Sequence, residues 1–248
     1  AQSIGAAELI RRAIADESPD VRIGALDAAI VIGADVPALM SAALTDRDRQ
    51  VRSAALGRLV AGREQLAQDA IDNSLRLAVR DVDPIIAQQA LTTMAQLGSS
   101  EAVIARLERL LTLRSEQKRV RAAAACIGLV ERDAARTVEL LTPLLDDPSH
   151  DVRVAMLPAM ASAWAATQSP EQLAVMLRQA EEHAMRRIAA TAAFIVLART
   201  EAGRSAAQSA LAELAESGPP LVRVYARLGN GLIEGETDGI GFLATLVP

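Results

Sequence analysis

The chain has few aromatic residues: two Phe, one Tyr and one Trp in 248. Its single cysteine, Cys126, excludes a disulfide scaffold. Two histidines, His150 and His183, leave little for a metal site or acid–base chemistry. Basic residues number 26 against 31 acidic ones, a net charge of −5, with Lys118 as the sole lysine. Nucleic-acid binders usually carry a basic footprint, so no nucleic-acid partner is expected. The longest near-continuous apolar stretch, Val154 to Ala166, is 13 residues. A bilayer span needs about 20, so no membrane span is expected. The phosphate-binding glycine loop, the nucleophile elbow and His-Glu-x-x-His are all absent. No catalytic residue, metal or cofactor is therefore expected.

What the chain does have is aliphatic. It is 51% hydrophobic, and alanine alone supplies 51 of its 248 residues. Alanine is the strongest helix former, and this mixture can bury a large core, which excludes disorder.

The chain repeats. Val-Arg-x-x-Ala occurs at Val21-Arg22, Val51-Arg52, Val120-Arg121 and Val222-Arg223, with imperfect copies at Ile86-Ala87, Val152-Arg153 and Arg186-Arg187. Anchors at 21, 51, 86, 120, 152, 186 and 222 give a period of about 34 residues and seven units filling 1–234. Five residues before the anchors stand Asp16, Asp46, Asp81, Ser115, Asp147, Glu181 and Ser217. Ser18-Pro19, Asp83-Pro84 and Ser169-Pro170 are helix starts, and Ser169 with Gln172 fits a capping box. After each anchor, apolar residues mark one helix face, as in Val51, Ala55, Leu56 and Leu59. A second amphipathic stretch precedes each turn, so each unit is a helical hairpin that must stack on its neighbours to hide its apolar face.

The turn Asp, the Val-Arg six positions on and the following Ala and Leu resemble the HEAT repeat in its short bacterial form. The resemblance implies an all-α, right-handed α-solenoid of about seven HEAT-like hairpins over 1–234. It also implies a ladder of charge-assisted hydrogen bonds, with Asp16–Arg22, Asp46–Arg52 and Asp147–Arg153 as rungs. Ala87, Arg186, Ser115 and Ser217 depart from the pattern. Chemistry known in the wider superfamily lacks its signs here: the basic aromatic groove of the HEAT-like DNA glycosylases and the His-Glu pairs of deoxyhypusine hydroxylase are missing. A phycobilin-lyase-like carrier of a hydrophobic small molecule is the alternative, and a structural module of a larger protein is another.

On the second helix of each hairpin, positions opposite the core line the concave face of such a solenoid. In units one to three they include Asp27, Ser53, Gln88, Thr92 and Gln96. In units four to seven they are Cys126, Val130, Val154, Ile188, Ala192, Val196, Val224, Leu228 and Leu232 among others, eleven of twelve apolar. Tyr225 flanks them. A solvent-facing stripe ordinarily carries charge. Either the face cradles an apolar or amphipathic segment of a protein or peptide partner, or the chain covers it internally. The tail, 235–248, is too apolar to hang free, and sealing part of this groove is one of its expected roles. His150 and His183 occupy corresponding turns one repeat apart. Pro158 lies inside its helix and should bend it, and Trp164 reads as packing. The expected function is a non-enzymatic protein-interaction scaffold. Cytoplasmic location is favoured, with export an alternative if the start at Ala1-Gln2-Ser3 is a processed signal-peptide junction.

Overall fold

The computed structural model describes residues 2–33, 36–98, 100–235 and 238–248; Ala1 and part of the expected tail, Glu236 and Thr237, lie outside the described residues. The chain is all-α, with no strand among the described residues. It divides into two compact units, residues 1–106 and 107–248.

Three hairpins build the first unit. They are α1 (Gln2–Ala13) with α2 (Pro19–Ile32), α3 (Val36–Leu44) with α4 (Arg49–Ala61), and α5 (Gln68–Ala78) with α6 (Pro84–Leu97). The second helices α2, α4 and α6 pack in sequence, and α3 packs on α5, so two helical layers enclose one core. Leu26, Met40, Leu56, Leu59, Leu75 and Ile86 are fully buried there. Helix starts follow their chemistry. Asp48 and Asp83 accept hydrogen bonds from the backbone N–H groups of Gln50 and Ile85. Pro19 and Pro84 occupy first-turn positions, where a helix needs no N–H.

The unit boundary falls inside α7 (Ser100–Leu111). The second unit continues with α8 (Glu116–Ala125), α9 (Ala134–Leu141) and α10 (His150–Thr167), then α11 (Pro170–Gln179) and α12 (Ala184–Leu197), then α13 (Glu201–Ser217) and α14 (Pro220–Glu234). The short α15 (Gly239–Ala244) follows. The second helices α8, α10, α12 and α14 pack in sequence, with α9, α11 and α13 as their hairpin partners. Ser169 makes both halves of the expected capping box with Gln172. Pro158 lies inside α10 with its ring exposed, and Trp164 is buried. After Leu141 the backbone tightens into a 3₁₀ turn, Thr142–Asp146, because Pro143 has no N–H to continue the α pattern.

Helix α12 is the centre of this unit. It lies against both α10 and α14, and α15 packs on it. Met185 and the whole run 187–194 are buried in consequence. No helix among the described residues is long and apolar enough to cross a membrane.

Candidate functional site

Two features stand out from the repeat packing: a ladder along the turns, and the face of the second-helix layer turned away from the first helices. The ladder residues stand at fixed offsets from the helix cap. In the first repeat the cap is Ser18, the arginine four residues on is Arg22, and the acid two residues before is Asp16. Asp16, Asp46, Asp81 and Asp147 each accept the backbone N–H of their own cap residue at 2.7–2.8 Å.

The arginine works in two directions. Its Nη1 donates to backbone carbonyls of its own turn: Arg22 to Asp16 and Glu17, Arg52 to Asp46 and Arg47, Arg119 to Leu113 and Arg114. Its Nε and Nη2 grip the carboxylate of the next repeat: Arg22 to Asp46, Arg52 to Asp81, Arg119 to Asp147. The expected rungs Asp16–Arg22, Asp46–Arg52 and Asp147–Arg153 are therefore corrected. Arg22 and Arg52 bind the acid's backbone carbonyl and meet a carboxylate only one repeat further on, and Arg153 binds the Asp147 backbone carbonyl. A guanidinium has five donors in a fork, enough for both tasks at once.

Burial alone pushes the Asp46 and Asp147 carboxyls up. The arginine of the preceding repeat and the cap N–H outweigh it and hold both below the ordinary value. Two of the gaps in the ladder follow from missing residues. Ala87 stands where the third arginine would be, and Leu113 stands at the acid position of the following turn. Among the described residues Arg187 meets no carboxylate, and the next acid position is Ser217. Its guanidinium donates to the carbonyls of Ala180 and Glu181 and lies 5.3 Å from the Tyr225 ring centre.

Of the ten expected contact residues, three are corrected: Cys126, Ile188 and Ala192 are fully buried. Cys126 reflects a register slip of two. Counted from the cap Ser115, the fourth repeat's ladder residue is Arg119, not Arg121, and Cys126 then matches the core residue Leu59. Its thiol donates to the Ala122 carbonyl at 3.2 Å, and burial pushes its pKa up to about 12. Ile188 and Ala192 have the expected register, but α12 is enclosed by α10, α14 and α15. Val130, Val154, Val196, Tyr225, Leu228 and Leu232 are half-buried, and Val224 is 58% exposed.

The apolar tail anchors through Leu243 and Val247, both buried. At its start, Gly239 sits so close to Ile195 and Leu232 that an added Cβ would lie 2.9 and 3.3 Å from their side-chain atoms. Asp238 caps α15 by accepting the Gly241 N–H. In the first unit the equivalent face is polar: Asp27 pairs with Arg58 at 2.7 Å, and Ser53 donates to Gln89.

The two histidines do not form a site. His183 caps α12, its Nδ1 accepting the Arg186 N–H, so its Nε2 carries the proton toward Asp146 Oδ1 at 3.0 Å. Among the described residues no group of three His, Cys, Asp or Glu side chains is placed to hold a metal ion. Sequence reasoning missed Arg119 as a rung; the constant cap-to-arginine spacing was the signal that could have found it.

No protein-family model and no curated protein matches the chain. Among solved structures it is similar to a designed armadillo repeat protein, at 20% identity, covering 80% of this chain and all of that one with a TM-score of 0.37.

Proposed function

We propose that the protein is a non-enzymatic interaction scaffold of HEAT-like repeats. Its docking surface is the second-helix face of residues 107–248, and its partner contributes a short apolar helix. One observation carries the reading: the chain's own α15 packs on the second helices α10, α12 and α14, and Leu243 within it and Val247 after it are buried. A face that holds one short apolar helix in cis has the chemistry to hold another in trans. The Arg–Asp ladder supports the HEAT-like part of the reading, because it ties successive turns by the interaction the resemblance implies.

The test is a labelled peptide of residues 238–248 titrated onto the full chain. In a Leu243→Asp, Val247→Asp variant the internal tail can no longer dock. Freeing the face raises apparent affinity by the inverse of the fraction of time it stood open. The variant is expected to bind the peptide at least about tenfold more tightly than the unaltered chain. Equal binding, or none to either, would overturn the proposal.

A further inference from the structure

A second concavity lies in residues 107–248 on the opposite, first-helix side. It is a cavity of about 320 Å³ between α9 and α11, floored by Trp164. Val138, Leu145 and Met176 supply its apolar walls. It exists because α9 stops at Leu141 and tightens into the Pro143 turn, so α9 packs little against α11. Gln168, just before α11, and Arg186, in the first turn of α12, both line the cavity. From α11 itself, Met176 and Gln179 in its last turn line the cavity.

Thr142, Gln168 and Gln179 add neutral polar groups to the lining. Arg186 is the one charged side chain in the lining, and no acid accompanies it. The Arg186 backbone N–H is committed to His183, while its exposed guanidinium has no hydrogen-bond or ion-pair partner among the described residues. Apolar walls from Val138, Leu145, Trp164 and Met176 beside one cation match an apolar chain that carries an anion.

We propose that this cavity binds an unbranched acyl chain ending in a carboxylate. The chain lies over Trp164 and Met176, and the carboxylate meets the Arg186 guanidinium. This site is separate from the second-helix face, and neither proposal depends on the other.

Trp164 is the sole tryptophan, so its emission reports on the cavity in the full chain. Dodecanoate, kept below its micelle concentration, is expected to shift that emission saturably, with one site by calorimetry. Dodecanol on the unaltered chain, and dodecanoate on Arg186→Gln, should each bind at least about fivefold more weakly, the range for a partly solvated charge-assisted contact. Met176→Glu, which puts a carboxylate in the apolar part, should abolish binding while circular dichroism stays unchanged. No saturable shift with dodecanoate would overturn the proposal, as would equal affinity for acid and alcohol. A response to anionic lipid vesicles without one to free dodecanoate would also overturn it, by assigning the chemistry to a membrane lipid.

Discussion

Arg119 grips both carboxylate oxygens of Asp147, with Nε and Nη2 at 2.8 and 2.9 Å, while its Nη1 holds the carbonyls of Leu113 and Arg114. One side chain thus closes its own turn and fastens the next. Both partners are largely withdrawn from water, at 13% and 6% side-chain exposure. Removing one leaves the other desolvated and unpaired. Asp147→Ala is expected to cost about 2–3 kcal/mol, a lower thermal midpoint by several degrees. Neutralising the exposed Arg11–Glu8 pair should change little. Equal midpoints for the two variants would refute the ladder as a source of stability.

Acid should weaken the same contacts. Asp27, Asp46, Asp83 and Asp147 all have carboxyls held below the ordinary value in the folded chain. A depressed folded pKa contributes stability that is fully present above the unfolded value, near 4, and lost as pH falls through the folded one. Urea midpoints should therefore be flat from pH 7 to about 5 and fall below about pH 4. Asp147→Asn should make that fall shallower; an unchanged slope would show that Asp147 contributes nothing to it.

The period, the hairpins and the ladder residue types were legible because each repeat must solve the same packing problem with the same side chains. The pairing was not. Arg22 lies six residues from Asp16, and only the offset of successive turns places its fork on Asp46 instead. The fourth repeat misled for a local reason. Val120-Arg121 matches the motif better than Lys118-Arg119, yet the cap at Ser115 sets the register. The face residues were found by helical geometry, but which of them stay open depends on where α15 lands. Hydrophobicity of the tail left that undecided.

Two glycines should respond oppositely to alanine. A Cβ on Gly203, in the first turn of α13, would lie 2.1 Å from the Leu197 carbonyl oxygen, a backbone atom that cannot swing aside. Gly203→Ala should destabilise markedly. Gly57, inside α4, has nothing within 4 Å of an added Cβ. Gly57→Ala should raise stability by about 0.5–1 kcal/mol through helix propensity. Thermal melts moving in the same direction would contradict this geometry.

Cys126 should be silent toward thiol reagents under native conditions. It has no exposed surface, and its pKa of about 12 leaves almost no thiolate near neutrality. Labelling by a disulfide reagent is expected only when the chain opens, so its rate should rise with urea in step with unfolding. Rapid stoichiometric labelling of the folded chain at pH 7 would contradict the burial.

Ile188 and Val224 occupy equivalent positions, five residues past their caps in successive repeats, yet only one reaches solvent. Ile188 is fully buried within α12, whereas Val224 is 58% exposed on α14. A carboxylate at 188 would be desolvated without a partner, and Ile188→Glu should cost more than about 4 kcal/mol or prevent folding. Val224→Glu should change stability by less than about 0.5 kcal/mol. The difference makes Val224, not Ile188, the substitution with which to probe docking, since a loss of binding can then be read without a loss of fold. Comparable melting of the two variants would mean that α15 does not cover α12, and the face would be open along its length.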